Sequence, residues 1–437
     1  MRVLLIGGGG REHAIGLSVV KAGGEIFTIS PNRNPGLDRI AKRIILGDEN
    51  DRNFVLRSAM KVKPDLVLIG PESPLASGVS DILIKNKFDV FAPSSEAARL
   101  ETSKSFCRNF MTENRLDGNI EAGSFTDSRE AERFIRQIDH DFVIKPDGLT
   151  GGKGVMVQGV HFNSRDDGVK IVRSYLKSKR DRVLVERKVV GEEFSLQAFV
   201  KGKKIYFLPI VQDYKRAYEG DIGPNTGGMG SICFSEKGLP FIEGGTLLKA
   251  KSILRQLVSK FSEIYGEYVG PIYGGFISTH DGPKLLEINA RLGDPEAINV
   301  LSLMENSEME VAVSMLHSSN PNLEFRNRVN VLRYVVPRGY GSNPSPSEIR
   351  INEEGIMLRG LKLYFASVSR SGNVLKQTRS RSLALLSEGT DLEQTTKRFD
   401  NIDSLVIGDY SMRNDIGSQG TMRKKKNFMR MVRTGKV

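Results

Sequence analysis

The stretch Phe142-Val143-Ile144-Lys145-Pro146-Asp147-Gly148-Leu149-Thr150-Gly151-Gly152-Lys153-Gly154-Val155-Met156-Val157 decides how the chain is read. Two β-rich runs, 142–145 and 155–157, flank a loop that carries Gly148, Gly151, Gly152 and Gly154 together with Lys153, and Lys145 closes the first run. Glycines let a backbone approach a ligand closely, and lysines neutralise phosphate oxygens. The loop is not a Walker A sequence, because too few residues separate Gly148 from Gly152 and Gly154 follows Lys153 where Ser or Thr belongs. Glycine and lysine also make ordinary hairpin tips, so a nucleotide reading needs a metal partner elsewhere in the chain.

Leu285-Leu286-Glu287-Ile288-Asn289-Ala290-Arg291 supplies a candidate. Strand alternation puts Glu287 and Asn289 on one face and Ile288 on the other, so two hard oxygen ligands converge as Mg²⁺ prefers. Arg291 continues the alternation; if the strand persists, its guanidinium lies beside the metal and can grip a carboxylate with two parallel hydrogen bonds. A salt-bridged edge strand is the plainer reading of such a triplet, but Gly293-Asp294-Pro295-Glu296 marks a sharp turn into a helix and argues against a mere surface strand. Between the two stretches, Gln212-Asp213-Tyr214-Lys215-Arg216 and Gly223-Pro224-Asn225-Thr226-Gly227-Gly228-Met229-Gly230 offer mixed charges and a loop that is either a lid over a reactive intermediate or an unconstrained surface segment.

Upstream, residues 1–100 alternate short apolar runs with longer helical patterns, the signature of a doubly wound parallel sheet. Val3-Leu4-Leu5-Ile6, Ile26-Phe27-Thr28-Ile29, Leu66-Val67-Leu68-Ile69 and Val90-Phe91-Ala92 read as its strands. Ligands sit beyond the carboxyl ends of such strands, which directs attention to the loops 7–13, 30–36 and 70–74. Gly7-Gly8-Gly9-Gly10-Arg11-Glu12-His13 ends a strand and opens a helix, so its amides and the helix dipole suit a phosphate, although a glycine turn for close strand–helix packing is the plainer alternative. As a dinucleotide fingerprint it fails: His13 stands where the third glycine belongs, and Ser30-Pro31 where a ribose-binding acid would be. Hydride transfer is disfavoured. His13 itself reads as a helix cap as readily as a ligand.

The chain has 437 residues, 39% hydrophobic and 27% charged, which fits several globular domains and excludes collagen-like, disordered and disulfide-stapled classes. It contains no apolar run long enough for a membrane span, and the stretch at 3–6 is too short for a signal-peptide core, so a cytoplasmic location is expected. Cys107 and Cys233 lack the paired spacing of a zinc site and read as buried thiols. Of the net charge of +12, a large share sits in residues 421–437, where Arg423, Lys424, Lys425, Lys426, Arg430, Arg433 and Lys436 stand without an acid. Such a tail is either a nucleic-acid or lipid contact or, more economically, a solvated, mobile end; no aromatic stacking platform accompanies it. The expected division is a doubly wound domain at 1–100, a domain at 101–325, a small β-rich C-terminal domain at 326–420 reached through a linker at 320–328, and the tail. A helix is expected over 99–114 and another near 249–265.

Taken together and in order, Gly8-Gly9-Gly10-Arg11-Glu12-His13-Ala14, Gly70-Pro71-Glu72-Ser73-Pro74-Leu75, Leu100-Glu101-Thr102-Ser103-Lys104, Lys145-Pro146-Asp147-Gly148-Leu149, Gly152-Lys153-Gly154-Val155, the loop at 223–230, Asn289-Ala290-Arg291-Leu292-Gly293-Asp294-Pro295-Glu296 and Arg413-Asn414-Asp415-Ile416-Gly417 resemble the phosphoribosylamine-glycine ligase family, also called glycinamide ribonucleotide synthetases, of the ATP-grasp superfamily. The resemblance covers about residues 1–417. It implies that residues 1–100 are a pre-ATP-grasp substrate domain and 101–325 an ATP-grasp domain with a small mobile nucleotide-covering part near 115–190, and it implies ATP-dependent joining of glycine to 5-phosphoribosylamine through a glycyl phosphate, with Mg²⁺ or Mn²⁺ as cofactor. Another ATP-grasp carboxylate-amine ligase is the nearest alternative, and a nucleotide- or RNA-binding protein without turnover is a more distant one. Small-molecule partners are implied, with no nucleic acid and no membrane, in a monomer or weak homodimer.

By the same resemblance Lys104, Lys145, Gly151, Gly152 and Lys153 would serve ATP's phosphates, Glu186, Lys188 and Val189 its adenine and Glu193 its ribose, while Glu287 and Asn289 hold the metal. Lys153 and Arg291 are the implied catalytic residues, and Arg291 would hold glycine's carboxylate. Gly9, Gly10 and Arg11 would seat the amine substrate's phosphate; further substrate contacts are implied for Glu12, Pro71, Glu72, Asp213, Lys215, Gly293 and Asp294, with Thr226, Gly227 and Gly228 excluding water. The chain departs from many members at Ile288 and Leu292, where an aromatic residue is usual, at Gly275, where some have Gln, and at Arg379-Ser380-Arg381, where a Gly-Gly-Arg turn is usual. The basic tail lies outside the family pattern.

Overall fold

The computed structural model describes residues 1–149, 154–178, 182–317 and 320–436. Its N-terminal region is a parallel five-stranded sheet in the order Ala41–Leu46, Glu25–Ser30, Arg2–Ile6, Leu66–Ile69, Val90–Phe91. Val3, Leu4, Leu5 and Ile6 are all fully buried, as a central strand covered on both faces requires. The edge strand Ala41–Leu46 is the one the apolar pattern does not reveal, because Lys42 and Arg43 interrupt its run and an edge strand needs less apolar cover.

The next region contains an antiparallel four-stranded sheet, ordered Ala122–Phe125, Val183–Arg187, Phe142–Pro146, Met156–Val157. Helices Ser128–Gln137 and Arg165–Lys177 cover it and share a separate core with it, in which Ala131, Ile135, Val169 and Val172 pack against Phe142, Ile144, Val183 and Val185. The helix expected over 99–114 is two helices, Ser95–Thr102 and Lys104–Glu113. The break is chemical: Ser103 Oγ accepts from Phe106 N at 3.1 Å as an N-cap and donates to Asp147 Oδ2 at 2.9 Å, and Ser105 N donates to Asp147 Oδ1 at 3.2 Å. Lys104 is thereby aimed at the glycine-rich segment.

A nine-stranded sheet forms the centre, running Gly282–Asn289, Val269–Thr279, Glu192–Lys201, Val211–Asp213, Gly230–Phe234, Val329–Val335, Leu383–Gly389, Leu361–Phe365, with Lys204–Phe207 paired to Glu192–Lys201. The C-terminal region is β-rich as expected, but three of its strands extend this central sheet. Its other strands, Val368–Ser371, Val374–Gln377, Glu348–Ile351 and Val406–Gly408, make a separate antiparallel sheet. Ladder hydrogen bonds between Gly230–Phe234 and Val329–Val335 tie the two parts across a gap of about a hundred residues, a pairing that local periodicity does not encode.

The basic end is not the mobile, solvated tail that its charge implies. It forms the helix Gln419–Arg433, capped by Ser418, whose Oγ accepts from Thr421 N at 3.1 Å. Met422, Lys425, Met429 and Val432 recur at helical spacing and are buried, while Arg423, Lys424, Lys426 and Arg430 point outward. The charges dilute the apolar stripe in the sequence without abolishing it. No helix among the described residues is long and apolar enough to cross a membrane. Cys107 and Cys233 are free and buried, as expected.

Candidate active site

A cleft of about 1500 Å³ separates the four-stranded sheet from the central sheet and opens onto the carboxyl ends of the N-terminal strands. Gly8, Gly9, Arg11, Glu12, Pro71, Glu72, Lys104, Lys145, Glu186, Lys188, Val189, Glu193, Asp213, Lys215, Thr226, Gly227, Glu287, Asn289, Arg291, Gly293 and Asp294 line it. Residues from three distant parts of the chain thus meet in one cavity. Of the other candidates, Gly10 and Gly228 lie behind its surface, and Gly151, Gly152 and Lys153 fall outside the described residues. A Cβ on Gly10 would come 2.6 Å from the Tyr334 hydroxyl, and one on Gly228 2.7 Å from Asp213 Oδ1; Gly228 also has φ +105°. Both glycines therefore permit close approach of the layers around the cleft.

At one end, Lys104 meets a backbone carbonyl, while Lys145, Lys188 and Lys215 pair with carboxylates. Lys104 Nζ donates to Gly148 O at 2.7 Å, and burial lowers its pKa against the opposing pull of Glu287 and Asp147. Lys145 Nζ pairs with Glu186 Oε2 at 2.5 Å. The Glu186 carboxylate is further clamped by Arg108, whose Nε and terminal nitrogen both lie at 2.9 Å from Oε1. Burial would raise Glu186, but Arg108 and Lys145 outweigh it and hold the group below the ordinary carboxylate value. Its side chain therefore orients Lys145 and is not free to read a base. Lys188 Nζ is tied to Asp141 Oδ2 at 3.1 Å and donates to Gln158 O at 2.9 Å. Glu193 Oε2 meets Lys215 Nζ at 3.2 Å.

Glu287 and Asn289 end the strand Gly282–Asn289 on one face, while Ile288 is buried behind them. The nearest ionic partner of Glu287 is Lys215 at 3.9 Å. Burial would raise its pKa, but Lys215, Lys145 and Lys104 hold it below the ordinary carboxylate value, so it is an ionised oxygen donor. Among the described residues no group of three or more His, Cys, Asp or Glu side chains could hold a metal. A pair of hard oxygens beside Lys215, Lys145 and Lys104 nevertheless suits Mg²⁺, which keeps several waters and takes substrate phosphate oxygens as ligands. Gly275, paired with Glu287 across the strands, adds no ligand.

At the other end, charges are already paired. The strand stops at Asn289, yet Arg291 still reaches back, donating to Asn289 Oδ1 at 3.4 Å. Its Nε meets Glu72 Oε2 at 3.2 Å, NH2 meets Glu101 Oε1 at 2.9 Å, and NH1 donates to Leu292 O at 3.3 Å. With three of its five N–H donors hydrogen-bonded and Glu101 paired to the same guanidinium, a two-toothed grip on another carboxylate requires one of these partners to yield. The guanidinium pulls Glu72 down to about 2, whereas burial pushes Glu101 up to about 7. Arg11 Nε donates to Glu12 Oε1 at 2.6 Å, and Glu12 Oε2 accepts from Gly9 N at 2.6 Å, which caps the first helix. His13 is buried and pushed down to about 3, mainly by that burial; its Nδ1 accepts from Phe365 N at 3.0 Å and anchors the C-terminal region.

The loop at 226–228 is not an unconstrained surface segment. Thr226 N and Oγ1 both donate to Lys215 O at 2.8 Å, and Arg381 NH1 donates to Gly227 O at 2.5 Å. Arg381 also pairs with Asp294 Oδ2 at 3.1 Å, and Tyr334 donates to Asp294 Oδ1 at 2.7 Å. Asp213 Oδ1 is buried without a hydrogen-bond partner among the described residues, and burial together with the Glu296 carboxyl raises Asp213 well above the ordinary value. Sequence reasoning did not single out Arg108, Glu101, Glu49, Tyr334 or Arg381. Glu101 had a signal, standing three residues before Lys104 in the same motif; Glu49, which lines the cleft beside Arg11 and is pushed up to about 7 by burial and then by Glu12, had none.

A family model described as the phosphoribosylglycinamide synthetase N domain matches residues 1–101, and one described as the ATP-grasp (A) domain of that synthetase matches residues 102–297. The chain belongs to the phosphoribosylglycinamide synthetase family. The phosphoribosylamine–glycine ligase of Pyrococcus furiosus is 40% identical to it over 434 residues, covering 99% of this chain and 98% of the relative. The crystal structure of the corresponding ligase from Thermotoga maritima superposes with a TM-score of 0.80 at 27% identity, covering 95% of this chain and 100% of that one. The biotin carboxylase domain of a Hydrogenobacter thermophilus 2-oxoglutarate carboxylase, solved with MgADP, ADP and bicarbonate, has a TM-score of 0.71 at 14% identity over 99% of this chain and 95% of that one, a likeness of fold alone.

Proposed function

We propose that this chain performs the reaction its relatives are named for, the ATP-dependent joining of glycine to 5-phosphoribosylamine to give glycinamide ribonucleotide, ADP and phosphate. It is a carbon–nitrogen ligase of purine biosynthesis. One observation carries the reading: Lys104 and Lys145 from one half of the chain meet Glu287, Asn289 and Arg291 from the other in a single cleft, in a chain that aligns with such a ligase over nearly its whole length.

The chemistry follows from the charges. Glycine's carboxylate attacks the γ-phosphoryl group of ATP, expelling ADP and forming glycyl phosphate; the amine of phosphoribosylamine then attacks the acyl carbon and expels phosphate. Lys104 and Lys145 neutralise the phosphates, with Lys153 as a third cation on the sequence motif, and this positioning supplies most of the acceleration in phosphoryl transfer. Glu287 and Asn289 would hold Mg²⁺ or Mn²⁺, which supplies charge neutralisation between phosphate oxygens when bound. The MgADP found in the distantly similar carboxylase domain supports a divalent metal here. Glu186 keeps Lys145 in place, the backbone near Val189 borders the adenine, and Glu193 stands at the ribose. Arg291 orients glycine once Glu72 or Asn289 releases a donor. Gly9, Arg11, Glu12, Pro71 and Asp294 border the space assigned to the amine substrate. Residues 226–228, braced by Arg381, keep water from an acyl phosphate that would hydrolyse unproductively.

We assign the amine substrate to residues 1–100, the nucleotide to 101–325 under a cover at 115–190, and support of the closing loop to 326–420. We further propose a monomer or weak homodimer working in the cytoplasm. The test is ADP release with each substrate omitted in turn. Dependence on both glycine and phosphoribosylamine is expected, and release driven equally by another carboxylic acid sinks the assignment.

A further inference from the structure

The basic C-terminal helix plays no part in the chemistry just described, yet it reaches the cleft. Lys425 is the only lysine among the buried polar residues described, and a buried ammonium is tolerated only when paired. Its Nζ lies 2.9 Å from Glu192 Oε2 and 3.4 Å from Asp221 Oδ2. Glu192 immediately precedes Glu193 at the start of the strand Glu192–Lys201. Asp221 sits at the tip of the hairpin formed by Arg216–Tyr218 and Ile222–Asn225, which runs directly into Thr226.

The same tip is held by the segment leading into the helix. The buried Arg413 donates to Asp221 Oδ1 at 2.8 Å and to Arg216 O at 2.9 Å, and Asp415 Oδ2 accepts from Gly220 N at 3.0 Å. Arg413 and Lys425 also flank one aromatic ring, that of Tyr214, at 5.2 and 5.3 Å from its centroid. Tyr214 stands between Asp213 and Lys215, both on the cleft wall. Phe428, one turn beyond Lys425 on the same helix face, lines the cleft together with Val190, Gly191 and Glu192. That is the edge to which the ribose and adenine have been assigned.

We propose that the helix Gln419–Arg433 is the outer wall of the nucleotide site, with Lys425 a positioning residue that holds Glu192 and Asp221 together and Phe428 an apolar contact for the nucleoside. The proposal rests on the ATP-dependent ligase reading. Without the ammonium, the bridge between Glu192 and Asp221 is lost, which lets the strand carrying Glu193 move apart from the hairpin carrying the closing loop. Burial already raises the pKa of Glu192 despite Lys425, so this carboxylate depends on its partner to remain charged. Phe428 offers a flat apolar surface at low conformational cost, which suits a nucleoside face.

The experiment uses the full chain and measures ADP release kinetics and calorimetric ATP binding for the wild type, Lys425→Met, Lys425→Arg and Phe428→Ala. Lys425→Met should raise the KM and Kd for ATP about tenfold while kcat stays within about threefold and the glycine KM is unchanged, as expected when a charge-assisted contact that positions only the nucleotide is lost. Lys425→Arg should recover most of that affinity, and Phe428→Ala should weaken ATP about fivefold by losing an aromatic contact. Wild-type ATP affinity in both Lys425→Met and Phe428→Ala overturns the inference and leaves the ligase reading intact. So does a loss spread equally over ATP affinity, glycine affinity and kcat in step with a fall in Tm, which marks a purely structural role. If Lys425→Met does not fold, Phe428→Ala decides by the same criterion. A wild-type protein that binds no ATP removes both readings.

Discussion

The two ends of the cleft use charge differently. At the end proposed for the nucleotide Glu186 is 3% exposed and locked between Arg108 and Lys145, while Glu287, on the facing strand, is 41% exposed with its nearest ionic partner 3.9 Å away. At the end proposed for the other substrates Arg291, Arg11 and Arg381 are each closed by a carboxylate within 3.2 Å. The difference separates carboxylates that build the site from those that serve it. A closed pair sets geometry, whereas the open Glu287 carboxylate is the group we propose for a metal and its polyanion.

Four experiments can break or sharpen that contrast. Glu186→Ala should be the most damaging, because it leaves the Arg108 guanidinium buried without its partner; a loss of about 3 kcal/mol or more is expected in urea unfolding. Stability within about 1 kcal/mol of wild type would mean that Glu186 is not the keystone of that wall. Glu287→Ala should fold normally and lower kcat by about a hundredfold, the usual size of effect when charge stabilisation at a transferring phosphoryl group is lost. Near-normal turnover would move the metal elsewhere.

Arg291→Lys should raise the glycine KM about tenfold with the ATP KM unchanged, since an ammonium cannot reproduce a planar fork. An unaltered glycine requirement would assign Arg291 to holding Glu72 and Glu101 alone. The mildest effect is on pH dependence. Arg291 depresses Glu72 from its ordinary 4.5 to about 2. Between those values the unfolded chain binds more protons at this site than the folded one, so the Glu72 contribution is present above about 4.5 and lost as pH falls through about 2. Urea midpoints from pH 6 to 2 should fall less steeply in Glu72→Gln than in wild type; parallel curves would refute the shift.

Much of this was legible in sequence because strand and glycine-loop signals are local. The side-by-side placement of Glu287 and Asn289 follows from a two-residue period, and the four strands of the N-terminal sheet follow from apolar runs. The single helix expected over 99–114 failed where a tertiary contact intervened, at Ser103, which is held by Asp147. Arg379-Ser380-Arg381 departs from the usual turn, yet Arg381 still braces Gly227 and Asp294. Ile288 and Leu292 are buried, so the loss of an aromatic residue at each keeps an apolar side chain in the core.

Residue order alone determined which groups lie on one face of one element, which loops are glycine-rich enough to approach a ligand, and the family to which the chain belongs. Only the folded molecule decided that Glu186 serves Lys145, that Arg291 is already held by two acids, and that the basic end is a docked helix with Lys425 on Glu192, 233 residues away. The physical reason is range. Backbone periodicity acts over a few residues, whereas a buried charge must find its opposite wherever packing brings one within reach, and nothing in the local sequence records that distance.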